Sequence, residues 1–234
     1  MHVVVPPWYH SRGVDGLLRA LREERGAIKH DLDTRMDWEN FSQSVGWEKI
    51  FVSSVVSEAN QPCVGKSISQ IAAERGHADP ADAAFDLLVE EQLAVGMISF
   101  GLDEADITAI MRHPAVSFIT DGLMSGRPHP RAYATSPRIL GRYVREQGVL
   151  SLEEAVRKMT SLPARKIRLR NKGVIAEGYD ADLVVFDPDT VIDKNSYDDP
   201  RVHPAGIAHV LVNGVFVVED AALTGARPGR VIRD

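Results

Sequence analysis

Short β-branched runs alternate with amphipathic stretches through the first half of this chain, and that rhythm limits the folds open to it. Residues 3–5 (VVV), 49–56 (KIFVSSVV), 95–100 (VGMISF) and 116–120 (VSFIT) read as strands. Between them, residues 13–25, 67–75 and 103–112 carry apolar positions at helical spacing, and Asp79-Pro80 opens a further helix to about residue 91. Strand alternating with helix is the pattern of βα units around a parallel sheet. Four such strands are too few to close an eight-stranded barrel.

The second half changes character. A helix is expected over residues 136–146, stopped by Gly148, and Ser151 with Glu154 has the form of a capping box before residues 155–160. From Gly173 the chain turns β-rich, with strands expected at 174–175, 182–187, 209–213 and 215–219. Asn213-Gly214 between two of them is a strong hairpin signal. The reading is an α/β protein of two parts, residues 1–168 and residues 169–234, with the seam near 165–175.

With 234 residues, 44% of them hydrophobic and 26% charged, the chain has ample material for a core. The net charge of -6 offers no basic field for a phosphate backbone, so nucleic acid is not an expected partner. The basic cluster at 165–170 (RKIRLR) reads as a solvated helix end. A single cysteine, Cys63, excludes an internal disulfide, suits a reducing cytoplasm, and lies in a Gln-Pro-Cys-Val-Gly stretch that reads as a loop. No apolar run reaches the roughly 20 residues of a membrane helix, and the first residues do not resemble a signal peptide.

Chemistry concentrates at residues 116–131, VSFITDGLMSGRPHPR. An apolar run ends at Asp121, the manner in which α/β barrels present catalytic carboxylates, although Asp-Gly is also a common turn. The following loop gathers Arg127, His129, Arg131 and Tyr133. Arg131 offers a planar fork for a carboxylate and His129 a proton carrier, while a histidine in a proline-rich loop is also an ordinary structural residue.

Several segments together carry a resemblance. They are Pro6-Pro7-Trp8, Gly65-Lys66 ahead of SISQIAAER, Asp121-Gly122 followed by GRPHPR at 126–131, PRILGRYVRE at 137–146, LEEAVRKMTSLPA at 152–164, DADLVVFD at 180–187, and GARPGR at 225–230. The chain resembles the C-terminal half of the N-acyl-D-amino-acid deacylases (D-aminoacylases) of the amidohydrolase superfamily, over nearly its whole length. The resemblance implies the last strands and helices of a TIM-type (β/α) barrel, followed by half of a small β-sandwich. It implies hydrolysis of an amide by zinc-activated water, with Asp121 as catalytic base and Arg131 gripping the substrate α-carboxylate. His129 and Tyr133 are expected to line the same loop.

The resemblance also implies zinc ligands that this sequence does not carry. They include a His-x-His pair, and the histidines here are His2, His10, His30, His77, His113, His129, His203 and His209. Asp121 would ligate metal only if an N-terminal half supplied the rest, because zinc takes three or four protein ligands. The chain alone is therefore expected to bind no zinc and to show little or no deacylase activity. Its expected partners are an N-acyl-D-amino acid, an N-terminal half or a second copy, and no membrane. Two other readings stay open: a non-catalytic remnant or association subunit of the same fold, and a cyclic amidohydrolase of the hydantoinase or dihydroorotase kind.

Overall fold

The computed structural model describes residues 1–122 and 128–232. The chain divides into two compact units. Met1–Leu102 forms the body of the first; the second begins at Asp103 and resumes at His129.

The first unit is mostly helical. Its helices are α1 (Pro7–His10), α2 (Gly13–Glu23), α3 (Arg25–Thr34), α4 (Phe41–Ser44), α5 (Ile68–Arg75) and α6 (Pro80–Glu90). Two strands, β1 (Ile50–Ser54) and β2 (Gly96–Ser99), pair beside them. Local chemistry sets the helix ends. Ser67 and Gln70 form a reciprocal capping box at α5, and Gly76 closes that helix at φ +76°. Asp79 accepts from the Ala81 amide, with Pro80 at the first position of α6. Leu17, Leu21, Ile28, Ile68, Ile71, Phe85 and Leu88 from these helices are buried with Ile50 and Val52 of β1. α2, α5, α6, β1 and β2 fall where the sequence places them, whereas α1, α3 and α4 lie in stretches for which the sequence reading gives no helix.

Three strand expectations fail, and so does the parallel sheet. β1 and β2 are antiparallel, with Ile50 opposite Ser99 and Val52 opposite Met97. Two helices intervene between them rather than one, so the chain reverses direction once more than in a βαβ unit. Residues 3–5 are not a strand: His2–Val4 is a 3₁₀ turn, and Pro6 leaves Val5 extended. Val4 and Val5 are fully buried against helices, so their apolar run serves packing with no neighbouring strand. Residues 116–120 are irregular, with Phe118 donating its amide to the Lys158 carbonyl and Ile119 77% exposed. Residues 174–175 are exposed and irregular as well.

The second unit contains α7 (Glu104–Arg112), α8 (Arg131–Arg138), α9 (Leu152–Met159) and α10 (Ser161–Lys166). Asp103 caps α7 and Ser151 caps α9 through the Glu154 amide. The helix expected from residue 136 begins earlier, at Arg131, because Pro130 already adopts helical angles. Pro137 lies inside it, and a π-helical segment, Ile139–Glu146, follows directly. A proline removes one amide donor and crowds the preceding turn, which disrupts the regular ladder there. Gly141 in the π segment lies against Val191 and Ile192, where a Cβ would strike the Val191 carbonyl.

The β-rich tail is a four-stranded antiparallel sheet in sequential order: β3 (Leu183–Phe186), β4 (Ile207–Val212), β5 (Val215–Glu219) and β6 (Ala222–Leu223). Asn213 and Gly214 join β4 to β5 with φ of +49° and +77°, the positive angles of a type I′ turn. Asp220 and Ala221 make a second such turn into β6, which the sequence reading misses because neither residue is glycine or asparagine. Ile139, Leu140, Tyr143, Ala155 and Val191 form the core of this unit, with Phe118, Phe186 and Ile207 packed on it.

Candidate functional site

Asp121 follows an irregular segment, and Arg131 occupies the first position of α8. The helix start aims the arginine back at the acid. Its Nη2 lies 3.1 Å from Asp121 Oδ2, and its Nε donates to the Asp121 backbone carbonyl at 2.5 Å. The sequence reading expects an acid delivered by a buried strand. The structure instead gives an exposed one, 80% accessible at the side chain, against 50% for Arg131. The two residues are paired, and the strand expected before Asp121 is absent.

His129 sits two residues before the arginine. Its Nδ1 accepts the Arg131 amide at 3.0 Å, and its Nε2 meets the Tyr197 hydroxyl at 3.2 Å. The two rings pack edge to face, centroids 5.1 Å apart. Burial, then Arg131 and Arg138, hold the His129 imidazole below its ordinary pKa, so it is neutral at pH 7. Burial raises the Tyr197 phenol. Tyr133 lies half-buried on α8, its amide bonded to the Pro130 carbonyl. Arg127 lies outside the described residues.

Sequence reasoning misses Tyr197 and Asn195. The Asn195 side-chain amide donates to the carbonyls of Pro130, 2.9 Å, and Pro200, 3.0 Å, tying the distant loop to the start of α8. Tyr197 lies 68 residues from His129 in irregular chain, so no periodicity or local motif marks it.

The arrangement combines a solvent-facing carboxylate, a guanidinium with donors to spare, and a neutral imidazole. It can accept a proton and hold a carboxylate. It does not fit zinc by itself: among the described residues no group of three or more His, Cys, Asp or Glu side chains converges. Asp121 is paired to a cation rather than to further ligands. Cys63 is buried at the end of a 3₁₀ turn, Glu58–Cys63, where a loop is expected, and Arg75 lies 3.8 Å from its sulfur. The basic cluster after residue 165 is exposed, as expected of a helix end. Among the described residues no helix is long and apolar enough to cross a membrane.

Comparison with known proteins gives consistent matches. The model of the Amidohydrolase family matches residues 60–218. An N-acyl-D-glutamate deacylase of Alcaligenes xylosoxydans xylosoxydans is 44% identical over 178 residues, 76% of this chain and 35% of that protein. A D-aminoacylase of the same organism is 43% identical over 169 residues, 72% of this chain and 34% of that protein. The crystal structure of N-acyl-D-glutamate deacylase from Bordetella bronchiseptica, complexed with zinc and a phosphonate mimic of the tetrahedral intermediate, superimposes with a TM-score of 0.71. It is 38% identical, covering 82% of this chain and 39% of that one. A D-aminoacylase crystal structure gives a TM-score of 0.68 at 34% identity, covering 88% and 45%. The chain thus spans about a third of the length of the curated relatives it matches.

Proposed function

This chain belongs to the amidohydrolase family, and we propose that it forms the C-terminal part of an N-acyl-D-amino-acid deacylase. In this reading residues 1–168 belong to the closing portion of a (β/α) barrel and residues 169–234 to a β-sandwich segment. The pairing of Arg131 with Asp121 carries the proposal. Two of the guanidinium's donors hold Asp121, and the others remain for the α-carboxylate of an N-acyl-D-amino acid. An Asp121 oxygen takes a proton from water as the water oxygen bonds to the amide carbon, and gives that proton to the nitrogen as the carbon–nitrogen bond breaks, leaving the carboxylate and the free amine. His129, Tyr133 and Tyr197 line the approach beside the arginine. The described residues do not form a zinc site by themselves. Residues beyond this chain, from an N-terminal half or a partner, complete the catalytic centre.

The test is release of free D-glutamate from N-acetyl-D-glutamate. The chain is assayed alone and after joining to the remaining two-thirds of a relative. Activity in the joined protein that falls by about 100-fold or more with Asp121→Asn supports the reading. A joined protein that is active and indifferent to Asp121→Asn overturns it.

A further inference from the structure

α7 ends at Arg112, and the chain then runs without regular structure to Asp121. The carbonyls of this segment lie beyond the helical ladder, and that of His113 accepts the Val116 amide at 3.1 Å. Here four in a row are taken by side-chain cations from α9 and α10. The Lys158 ammonium donates to the His113 and Val116 carbonyls, the latter at 3.0 Å. Arg157 Nη2 donates to Pro114 at 2.9 Å, and Lys166 donates to Ala115. Arg157 is itself held by both oxygens of Glu154, at 2.7 and 2.8 Å.

Lys158 is fully buried, which is costly for an ammonium unless its protons find acceptors. A leucine or methionine would fill similar volume without that cost. What lysine adds is two bonds to the chain leading toward Asp121, with Glu154 3.7 Å away as the neighbouring carboxylate. Its nitrogen also lies 5.9 Å from the centroid of the Phe118 ring, and its backbone carbonyl accepts the Phe118 amide at 3.0 Å. Beyond Phe118 the next anchor is the Arg131 pairing at Asp121 itself.

We infer that Lys158 is a positioning residue whose ammonium, helped by Arg157 and Lys166, clasps residues 113–116 and so fixes the path of the segment that runs from α7 to Asp121. The inference rests on the proposed role of Asp121 for its functional meaning, and on geometry alone for the clasp.

Amide hydrogen exchange of the full chain, followed over residues 115–122, tests the clasp. Lys158→Met is expected to speed exchange there by about 10-fold, with α2 and α6 of the other unit unchanged and partial recovery in Lys158→Arg. The surface double variant Arg157→Met/Lys166→Met keeps the buried lysine and is expected to give an increase of about 3-fold. Unchanged exchange over 115–122 in the double variant and in folded Lys158→Met overturns the clasp. If Lys158→Met does not fold, the double variant decides by the same criterion. In the joined enzyme, Lys158→Met is expected to lower kcat with KM nearly unchanged. Asp121→Asn without effect there overturns the catalytic reading while leaving the exchange result standing.

Discussion

Arg131 reaches Asp121 from the first turn of α8, one guanidinium nitrogen on the carboxylate and another on the backbone carbonyl of the same residue. The two contacts fix the orientation of the guanidinium plane as well as its distance, which a lysine could not do.

Because both partners are exposed, this pair contributes little to folding. Arg131→Ala is expected to change urea-unfolding stability by less than about 1 kcal/mol. In the joined enzyme the same variant, and Arg131→Lys with it, is expected to raise KM for N-acetyl-D-glutamate by about 10-fold or more. A stability loss of several kcal/mol in Arg131→Ala would show that the arginine is structural.

Glu91 is the opposite case. This buried carboxylate accepts from the Val56 and Ser57 amides, the Ser57 hydroxyl and the Asn60 side chain. Those donors outweigh the burial that opposes ionisation and bring its pKa from 4.5 down to about 2. A depressed carboxylate pKa gives stability that is complete above about 4.5 and lost as pH falls toward about 2, amounting to roughly 3 kcal/mol. Acid unfolding curves should show this loss in the wild type and a flatter dependence across that window in Glu91→Gln. Parallel curves for the two proteins would contradict the assignment.

His129 should titrate below its usual 6.5, since burial, Arg131 and Arg138 all disfavour the imidazolium. The unfolded chain then binds the proton more readily, so stability declines as pH drops from above 6.5 toward the folded midpoint. Proton NMR of the imidazole supplies the midpoint, and Arg131→Ala should move it upward. A midpoint at or above 6.5 would refute the burial of His129 and its exposure to the charges of Arg131 and Arg138.

The two tight turns of the tail make an opposed pair of tests. Gly214→Ala places a side chain at φ +77° and is expected to cost about 1 kcal/mol. Ala221→Gly relieves a side chain at φ +62° and is expected to stabilise by a few tenths to about 1 kcal/mol. Thermal melts of the two variants should shift in opposite directions.

What the sequence determined by itself is local. The caps at Ser67, Asp79, Asp103 and Ser151 and the Asn213-Gly214 turn depend on side chains bonding backbone within a few residues, or on the φ a residue tolerates. The motifs around Asp121 and Arg131 likewise carried the family resemblance, because they lie close together in the chain. Only the tertiary structure decided that residues 3–5 and 116–120 are not strands, since an apolar β-branched run becomes a strand only when another backbone lies alongside to pair with it. It alone brought Tyr197 to His129 and Lys158 beneath the approach to Asp121, contacts spanning 68 and 42 to 45 residues. Groups so far apart in sequence meet only through tertiary packing, and packing leaves no periodic trace in the residues it joins.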